Sequence, residues 1–210
     1  MAWTESEPTH GSVLNADVWR DVEAVVFDAF GTLVAKSRRL DPVRNLLNIA
    51  TPERRTALLA RITREAEGWD DWVRDLDLPL DHPELPGLRA DLDADTAAVI
   101  TRPEAARFWP FVAASGKKTA LCSNLVAAYV EPCKAALPGA MDAHIWSCHA
   151  GAAKPDPAIY LAAAEALNLP PSAILFVGDR QMEDVDGPRS VGMRSMLVDR
   201  FALFCGHAWD

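Results

Sequence analysis

The sequence predicts an α/β fold in which a parallel β-sheet is covered by helices on both faces. Five short apolar runs alternate with helical stretches along the 210-residue chain. The runs are apolar at consecutive positions, as expected of strands that are buried on both faces of a parallel sheet. Strands that alternate with helices favour crossover connections, which make the strands parallel and place helices on both faces.

The predicted elements follow one another regularly, except in one long interval. The runs that predict strands are residues 22–28, 118–123, 143–147, 173–179 and 194–198. The helical stretches that separate the later strands are residues 125–137, 157–167 and 182–191. Each strand is short and β-branched or aromatic residues contribute to it, which distinguishes it from a buried helix segment.

The interval 36–116 carries no strand signal and predicts a helical insertion directly after the first strand. Thr51 followed by Pro52 indicates a helix start, since Pro fits the first helical position. Pro103 begins a last helix that ends near Gly116. We therefore predict an N-terminal extension over 1–20, an α/β core formed by 21–35 and 117–210, and a helical cap over 36–116.

The charge balance argues against polyanionic partners. Lys and Arg number 21 against 30 Asp and Glu, a formal net charge of −9, whereas nucleic acid or an anionic membrane requires a basic face. No apolar run reaches the ~20 residues that span a bilayer, and no signal pattern begins the chain. Four scattered cysteines suit a reducing compartment. We expect a cytoplasmic monomer or homodimer that binds a small-molecule substrate.

Polar side chains stand where the predicted strands end, which is where open parallel sheets bind ligands. Asp28 ends the first strand, Ser123 and Asn124 end the second, and Asp179 ends the fourth. The set is completed by Lys154, in the loop before the fourth strand, and by Asp184. Carboxylates, a hydroxyl and an ammonium at one edge suit phosphoryl chemistry.

The acidic residues predict a nucleophile and a metal site. An Asp can attack phosphorus and form an acyl phosphate, which divides one difficult step into two, and we assign this role to Asp28. Mg²⁺ prefers one or two carboxylates together with substrate oxygens and waters. Asp28 and Asp179 can supply the carboxylates, and Asp184 can hold a ligand water.

The remaining polar residues predict a phosphate-binding pocket. Ser123 and Lys154 would bind the equatorial oxygens, where negative charge spreads in the transition state. Gly31 lets the backbone approach the anion closely. The N–H groups that follow Gly31 are expected to form an anion nest.

Four segments resemble, in order, the motifs of the haloacid dehalogenase-like hydrolase superfamily. They are FDAFGTLV (27–34), LCSN (121–124), KPDPAIY (154–160) and VGDRQMEDVDGPRSVGM (177–193). The resemblance covers roughly 22–200, and the predicted insertion lies where that superfamily has its cap domain. Any one segment is a weak signal, but four in order are specific. The resemblance implies a Rossmann-like core with a small α-helical cap inserted after the first strand.

The resemblance also implies roles for individual residues. The implied catalytic residues are Asp28, Ser123 and Lys154. The implied phosphate contacts are Thr32, Ser123, Asn124 and Lys154. The implied Mg²⁺ ligands are Asp28, the main-chain carbonyl of Phe30 and Asp179, with support from Asp184.

Phe30 departs from the pattern of the superfamily's phosphatases. Those enzymes carry a second Asp two residues after the nucleophile, and it protonates the leaving group. Phe cannot transfer a proton, and general acid–base help typically contributes ~10²–10⁴-fold. The main-chain carbonyl survives the replacement, so metal binding need not be lost. We predict Mg²⁺-dependent hydrolysis of a small phosphorylated metabolite as the main function.

Two other functions stay open. An aromatic residue at this position resembles the 2-haloacid dehalogenases, which work without metal and release a halide that needs no proton. A cap arginine would then bind the carboxylate of the 2-haloacid, and the candidates are Arg38, Arg39, Arg54, Arg55 and Arg61. The second alternative is a weakly active or non-catalytic protein that uses the fold for binding. A phosphonatase, which needs a cap lysine, is set aside because residues 37–116 contain none, leaving only Lys36 at the hinge.

Three other residues are assigned structural roles. Trp69 and Trp72 are three positions apart and share a helical face, so we expect them to pack inside the cap rather than line a substrate pocket. His149 lies after the third strand, near the ligand edge. A lone His is usually structural, and we do not expect it to transfer a proton.

Overall fold

The structure, a computed structural model, describes residues 19–207. The predicted N-terminal extension 1–20 therefore lies almost wholly outside the described residues. Among the residues that are described, no helix is both long and apolar enough to cross a membrane.

A five-stranded parallel sheet forms the centre of the molecule, as predicted. Its strands are β1 (Ala24–Phe27), β4 (Lys118–Ser123), β5 (Ala143–Trp146), β6 (Ile174–Gly178) and β7 (Arg194–Leu197). Their order across the sheet is β5-β4-β1-β6-β7, and every neighbouring pair is parallel. The central strand β1 is buried at all four positions, which explains why its sequence is a continuous apolar run.

Side chains of β1 alternate between two apolar layers. Val25 and Phe27 belong to one core cluster, whereas Ala24 and Val26 belong to the other. The helix Pro157–Leu167 packs on the second face. On the first face, the ring of Phe27 stacks on Phe108 with the ring centroids 5.9 Å apart. Both faces of the sheet are therefore covered, as the strand sequences require.

The other helices complete these layers. Those of the core are the helices Pro103–Ala114, Val130–Ala135, Ser147–Ala150, Gly187–Ser190 and Val198–His207, the 3₁₀ turns Ala127–Tyr129 and Pro171–Ala173, and the π-helical turn Gln181–Asp186. Two predicted helices differ from these bounds. In the predicted helix 125–137, the regular helix begins only at Val130. The reason is that the Leu125 amide donates a hydrogen bond to the Ser147 hydroxyl, and the chain is extended where it leaves β4. Over 182–191 the first part is the π-helical turn.

Four helices, Pro42–Asn48, Pro52–Leu59, Trp69–Asp75 and Leu85–Ala97, form the insertion after the first strand. Thr51 caps the second of them, since its side chain accepts a hydrogen bond from the Arg54 amide. Trp72 is fully buried and Trp69 is 9% exposed, so both pack in the core as expected. We call residues 37–98 the insertion.

A small antiparallel sheet connects the insertion to the core, and it was not predicted. Strand β2 (Val34–Lys36) pairs with β3 (Val99–Thr101), which contradicts the expectation that the interval has no strand. Three-residue strands that are only partly buried are too short to produce a recognisable pattern. The helix Pro103–Ala114, which follows β3, packs on the central sheet through Phe108 rather than on the other inserted helices.

Candidate active site

The carboxyl ends of β1, β4 and β6 lie side by side and position the predicted site residues. Asp28 follows β1, Ser123 ends β4, and Asp179 follows β6. Because β1 pairs with both β4 and β6, the side chains that follow these strands converge on one edge. Lys154 reaches the same edge from the loop before the helix Pro157–Leu167. The structure thus brings together residues that are up to 151 positions apart in sequence.

A buried ammonium joins two carboxylates at the centre of this edge. Lys154 Nζ donates to Asp28 Oδ1 and to Asp184 Oδ1, at 2.6 Å each. All three side chains are at least nine-tenths buried. Burial alone would lower the pKa of Lys154, but the two carboxylates outweigh it and hold that pKa above its usual range. The ammonium therefore stays charged beside the nucleophile candidate.

Asp184 holds Lys154 in place and is itself fixed on both oxygens. Its Oδ2 accepts the Arg180 amide at 3.0 Å, while its Oδ1 accepts from Lys154. Its side chain lies directly on Gly178, where a Cβ would come within 2.3 Å of the Asp184 Cγ. A side chain at position 178 would therefore displace this carboxylate.

Asp179 completes a group of three carboxylates. Oxygens of Asp28, Asp179 and Asp184 all lie within 4.8 Å of one another. Burial raises the pKa of Asp179, and the neighbouring Asp28 raises it further. Gly31 makes this approach feasible, because it has φ +86° and a Cβ there would lie 2.2 Å from Asp179 Oδ2. Like charges so close together favour a bound cation.

Asn124 positions the lysine loop. Its amide nitrogen donates to the Lys154 carbonyl at 2.8 Å, and its oxygen accepts the Lys154 amide at 2.7 Å. Both functional groups of the Asn124 side chain are thus used by the backbone of the residue that carries the ammonium. Ser123 is 2% exposed and lines the pocket beside Asp28.

The expected anion nest after Gly31 is not formed. The Gly31 amide donates a hydrogen bond to the Val34 carbonyl oxygen, and the amides of Thr32 and Leu33 both donate to the Ala29 carbonyl oxygen. The hydrogen bonds of this tight turn therefore occupy the N–H groups that were predicted to bind the anion. Thr32 is fully buried, its hydroxyl has no hydrogen-bond partner among the described residues, and it lines neither cavity at this edge.

Two connected cavities open at this edge. A small polar pocket of about 330 Å³ contains Asp28, Ser123 and Lys154. A cleft of about 970 Å³ lies between the core and the insertion. The residues that line both are Phe30, Gly31, Arg39, Asn124 and Asp179. These shared residues form what we call the junction, which connects the small pocket at Asp28 to the cleft.

Arg39 and a buried hinge cluster were not identified from the sequence as parts of one site. Of the five candidate arginines, only Arg39 lines the small pocket. Beside the junction, Asp95 is fully buried and accepts hydrogen bonds from Lys36, from the Tyr129 hydroxyl and from the Leu40 amide. No sequence signal connects these residues, because each stands alone in its own segment.

The hinge cluster ties the insertion to the core. Asp95 lies in the last turn of the last inserted helix, Lys36 ends β2, and Tyr129 belongs to the core segment after β4. Burial would raise the pKa of Asp95, but the hydrogen bonds from Lys36 and Tyr129 outweigh it and lower that pKa. Burial and the adjacent Asp95 raise the pKa of Tyr129, so its hydroxyl stays a donor.

Replacing Asp95 by Ala should lower the free energy of unfolding by about 3 kcal/mol, because it leaves the Lys36 ammonium without its buried partner. Urea unfolding measures the difference, and Asp93→Ala, at an exposed position in the same helix, is the matched control. Since the pKa of Asp95 is lowered, its stabilisation is present above the usual Asp pKa and is lost as the pH falls through the lowered value. Equal losses for the two variants at neutral pH would contradict this role.

The fold and the site together define a class of α/β protein that binds its ligand at the carboxyl edge of a parallel sheet, beneath an inserted helical segment. A family model for haloacid dehalogenase-like hydrolase matches residues 22–192. The chain belongs to this family, as the four sequence segments predicted.

Individual relatives include phosphatases and dehalogenases. A segment of 66 residues, 31% of this chain and 30% of the relative, is 47% identical to Phosphatase MT3486 of Mycobacterium tuberculosis (strain CDC 1551 / Oshkosh). A HAD family enzyme of Bacteroides thetaiotaomicron, solved with magnesium and inorganic phosphate, has a TM-score of 0.61 at 16% identity, covering 84% of this chain and 93% of its own. L-2-haloacid dehalogenase of Xanthobacter autotrophicus has a TM-score of 0.53 at 24% identity, covering 83% and 76%.

These likenesses differ in what they support. The two structural likenesses are below 25% identity and show the fold alone. The chain spans less than a third of the length of the curated relatives that it matches. The match of the family model over residues 22–192 shows the family, and the likenesses to single proteins leave the reaction to the chemistry of the site.

Proposed function

We propose that this protein hydrolyses a small phosphorylated metabolite through a covalent intermediate on Asp28, with Mg²⁺ as cofactor. The observation that supports this most is the buried contact of Lys154 with Asp28 and Asp184, beside a third carboxylate, Asp179, at the floor of an open pocket. A nucleophilic carboxylate, a fixed ammonium and a cation site are the parts that phosphoryl transfer requires.

Asp28 is placed to attack phosphorus. Its side chain is 9% exposed and lines the small pocket, so one face is open to a ligand. Its Oδ1 is held by Lys154 at 2.6 Å, which fixes the orientation of the carboxylate. In our proposal Lys154 and Ser123 bind the phosphoryl oxygens, and the fixed ammonium stabilises charge as it develops there.

The donor set fits a divalent cation. Asp28 and Asp179 would hold the ion, and the carbonyl of Phe30 would complete the protein ligands. The fit rests on the close approach of Asp179 over Gly31, a position that any Cβ would fill. Bound there, the ion would neutralise the carboxylates and polarise the phosphoryl group. Asp184, with both oxygens already occupied, would act through Lys154.

Asn124 and Thr32 take positioning roles in this proposal. Asn124 keeps the Lys154 backbone in place through two hydrogen bonds, and Thr32 is buried under the turn that carries Gly31. The insertion would act as the cap: it forms one wall of the cleft and could exclude water on closure. We place the cap at residues 37–98. A cytoplasmic location and a monomeric or homodimeric state remain predictions.

Phosphate release should require Mg²⁺. A screen of phosphorylated metabolites with Mg²⁺ is expected to find substrates, and chelation with EDTA should reduce their turnover by at least about 10²-fold, because two carboxylates and the phosphoryl group would then repel one another. Adding Mg²⁺ back restores activity and serves as the control. Turnover that survives chelation would overturn the cofactor assignment.

A carbon–halogen hydrolase is the second candidate, and one observation favours it. Phe30 and Arg39 both line the pocket that contains Asp28, so a carboxylate could bind to Arg39 while a halide leaves without a proton. Halide release from 2-haloacids, unchanged by EDTA, would support this reading. The three adjacent carboxylates argue against it, because they favour a cation that this reaction does not use.

A further inference from the structure

We propose that the site is specialised for phosphoryl donors whose leaving group departs as an anion: the carboxylate of an acyl phosphate or the phosphate of a phosphoanhydride. The inference rests on the proposed function and names the substrate class of that same site. Two features carry it. An aromatic residue, Phe30, stands at the junction where the superfamily's phosphatases have an acid, and Arg39, which has no acidic partner among the described residues, lines the same junction.

Phe30 lies at the junction, between the small pocket and the cleft. A phosphoryl group bound at Asp28 lies in the small pocket, and a substrate larger than this pocket extends through the junction into the cleft. Phe30 lines both cavities there. Its ring packs edge-on against Tyr129, with centroids 6.0 Å apart, and the Lys36 ammonium lies 5.7 Å from its centre. The ring is thus held in place and has no proton to donate.

The other titratable groups of the small pocket are already engaged. Within the described residues these groups are Asp28, Lys154, Asp179 and Glu183. Lys154 is enclosed by two carboxylates, and Glu183 pairs with Arg180 at 3.1 Å. Asp28 and Asp179 are assigned to attack and to the cation. In the cleft, the Tyr129 hydroxyl donates a hydrogen bond to the Asp95 carboxylate at 2.5 Å. None of these groups is therefore free to give a proton to an oxygen that leaves at the junction.

The cleft instead offers positive charge. Arg39, Arg44 and Arg55 line it together with the carboxylates of Asp41 and Asp199, but none of the three arginines forms an ion pair with a described residue. Arg55 is held by the carbonyl oxygens of Leu47 and Asn48, which leaves its charge without an acidic partner. In a chain of net charge −9, three unpaired cations on one wall favour an anionic ligand. Of these cations only Arg39 lies at the junction, next to the departing group.

Neither the formation nor the hydrolysis of the aspartyl phosphate requires an acid from the protein. The Asp28 oxygen forms a bond to phosphorus while the bond from phosphorus to the leaving oxygen breaks, and the electron pair stays on that oxygen, which departs as an anion beside Arg39. Water then forms a bond to phosphorus and the bond to Asp28 breaks, which returns the carboxylate. Both protons of the water remain on the product, H₂PO₄⁻.

The same reasoning predicts which step is slow. In the first step, a leaving group of low basicity compensates for the missing proton donor. In the second, water attacks without a side-chain base beside Phe30. We therefore expect the aspartyl phosphate to accumulate, with a rapid first turnover followed by slower steady-state release.

The test compares benzoyl phosphate with benzyl phosphate, which are similar in size but differ in the basicity of the leaving group. We expect kcat/KM for benzoyl phosphate to be higher by at least about 10²-fold, after subtraction of the rate with Asp28→Asn. Pyrophosphate provides the anhydride arm: faster turnover of pyrophosphate assigns the leaving group as a phosphate, and faster turnover of benzoyl phosphate assigns it as a carboxylate.

Two pairs of variants test the residues. Phe30→Asp should raise kcat/KM for benzyl phosphate by at least about 10-fold, as added acid catalysis would, and should therefore narrow the ratio of kcat/KM between benzoyl and benzyl phosphate. Phe30→Asn opens the same space without supplying an acid, and it should not raise kcat/KM for benzyl phosphate in this way. Arg39→Gln should lower kcat/KM for benzoyl phosphate by about 10-fold, an amount typical of losing one charged contact to an anion, whereas Arg38→Gln, whose residue lines neither cavity, should not.

Each outcome decides between the two proposals. Equal kcat/KM for benzoyl and benzyl phosphate, or equal gains from Phe30→Asp and Phe30→Asn, overturns the leaving-group inference and leaves the phosphatase proposal standing. No phosphate release from any of the three compounds, together with no phosphorylated protein by intact-mass measurement, overturns the proposed function and this inference with it. A large ratio of kcat/KM for benzoyl phosphate over benzyl phosphate, narrowed by Phe30→Asp but not by Phe30→Asn, supports both the proposed function and the leaving-group inference.

Discussion

Asp28→Asn is expected to abolish phosphate release, lowering kcat by at least about 10⁴-fold, because an amide cannot form the acyl phosphate on which both steps depend. The substitution keeps the size and shape of the side chain. Asn can still accept a hydrogen bond from Lys154, which donates to Asp28 Oδ1 at 2.6 Å. The variant should therefore fold, and its loss should appear in the chemical step.

The matched control for this variant is Asp21→Asn. Asp21 is an exposed carboxylate that pairs with Arg194 at 3.4 Å and lines neither cavity. The substitution Asp21→Asn removes one negative charge from the chain, as Asp28→Asn does, and should leave kcat unchanged. Circular dichroism and urea unfolding verify that both variants are folded. Retained activity in folded Asp28→Asn would remove Asp28 from the role of nucleophile.

The sheet could be predicted because its strands are buried on both faces. Each of the five strands differs by at most two residues at either end from its predicted range, as at β1, where 22–28 was predicted and Ala24–Phe27 observed. The strands β2 and β3 could not be predicted, since three residues on a partly exposed two-stranded sheet give no pattern. Their pairing depends on contacts between segments more than 60 residues apart.

The site could be predicted only in part. The order of the motifs pointed to Asp28, Lys154 and Asp179, and the two Asp residues must converge because they follow adjacent parallel strands. The sequence could not show that the amides after Gly31 are consumed within their own turn, because this depends on the hydrogen bonds to Ala29. Nor could it choose Arg39 among five arginines, since that choice depends on how the insertion packs over the junction.

Lys154→Met should have the largest effect on stability, lowering the free energy of unfolding by about 3–5 kcal/mol at neutral pH. Lys154 is buried between Asp28 and Asp184, and its removal leaves two buried like charges without compensation. Burial raises the pKa of Asp184, and protonation of this carboxyl removes one of the two like charges, so the deficit should shrink as the pH falls. In the wild type the raised pKa of Lys154 means that its stabilisation is present below the usual Lys pKa and is lost as the pH rises through the raised value.

Two further variants separate charge balance from catalysis. Lys134→Met removes an exposed lysine without an ion pair among the described residues, and should leave both stability and activity unchanged. The double variant Lys154→Met/Asp184→Asn removes one cation and one anion together, so it should recover much of the lost stability. It should stay inactive, because no ammonium is left to bind the phosphoryl oxygens. Recovery of phosphate release in the folded double variant would show that the Lys154 charge serves the fold alone, and the catalytic role of Lys154 would then be wrong.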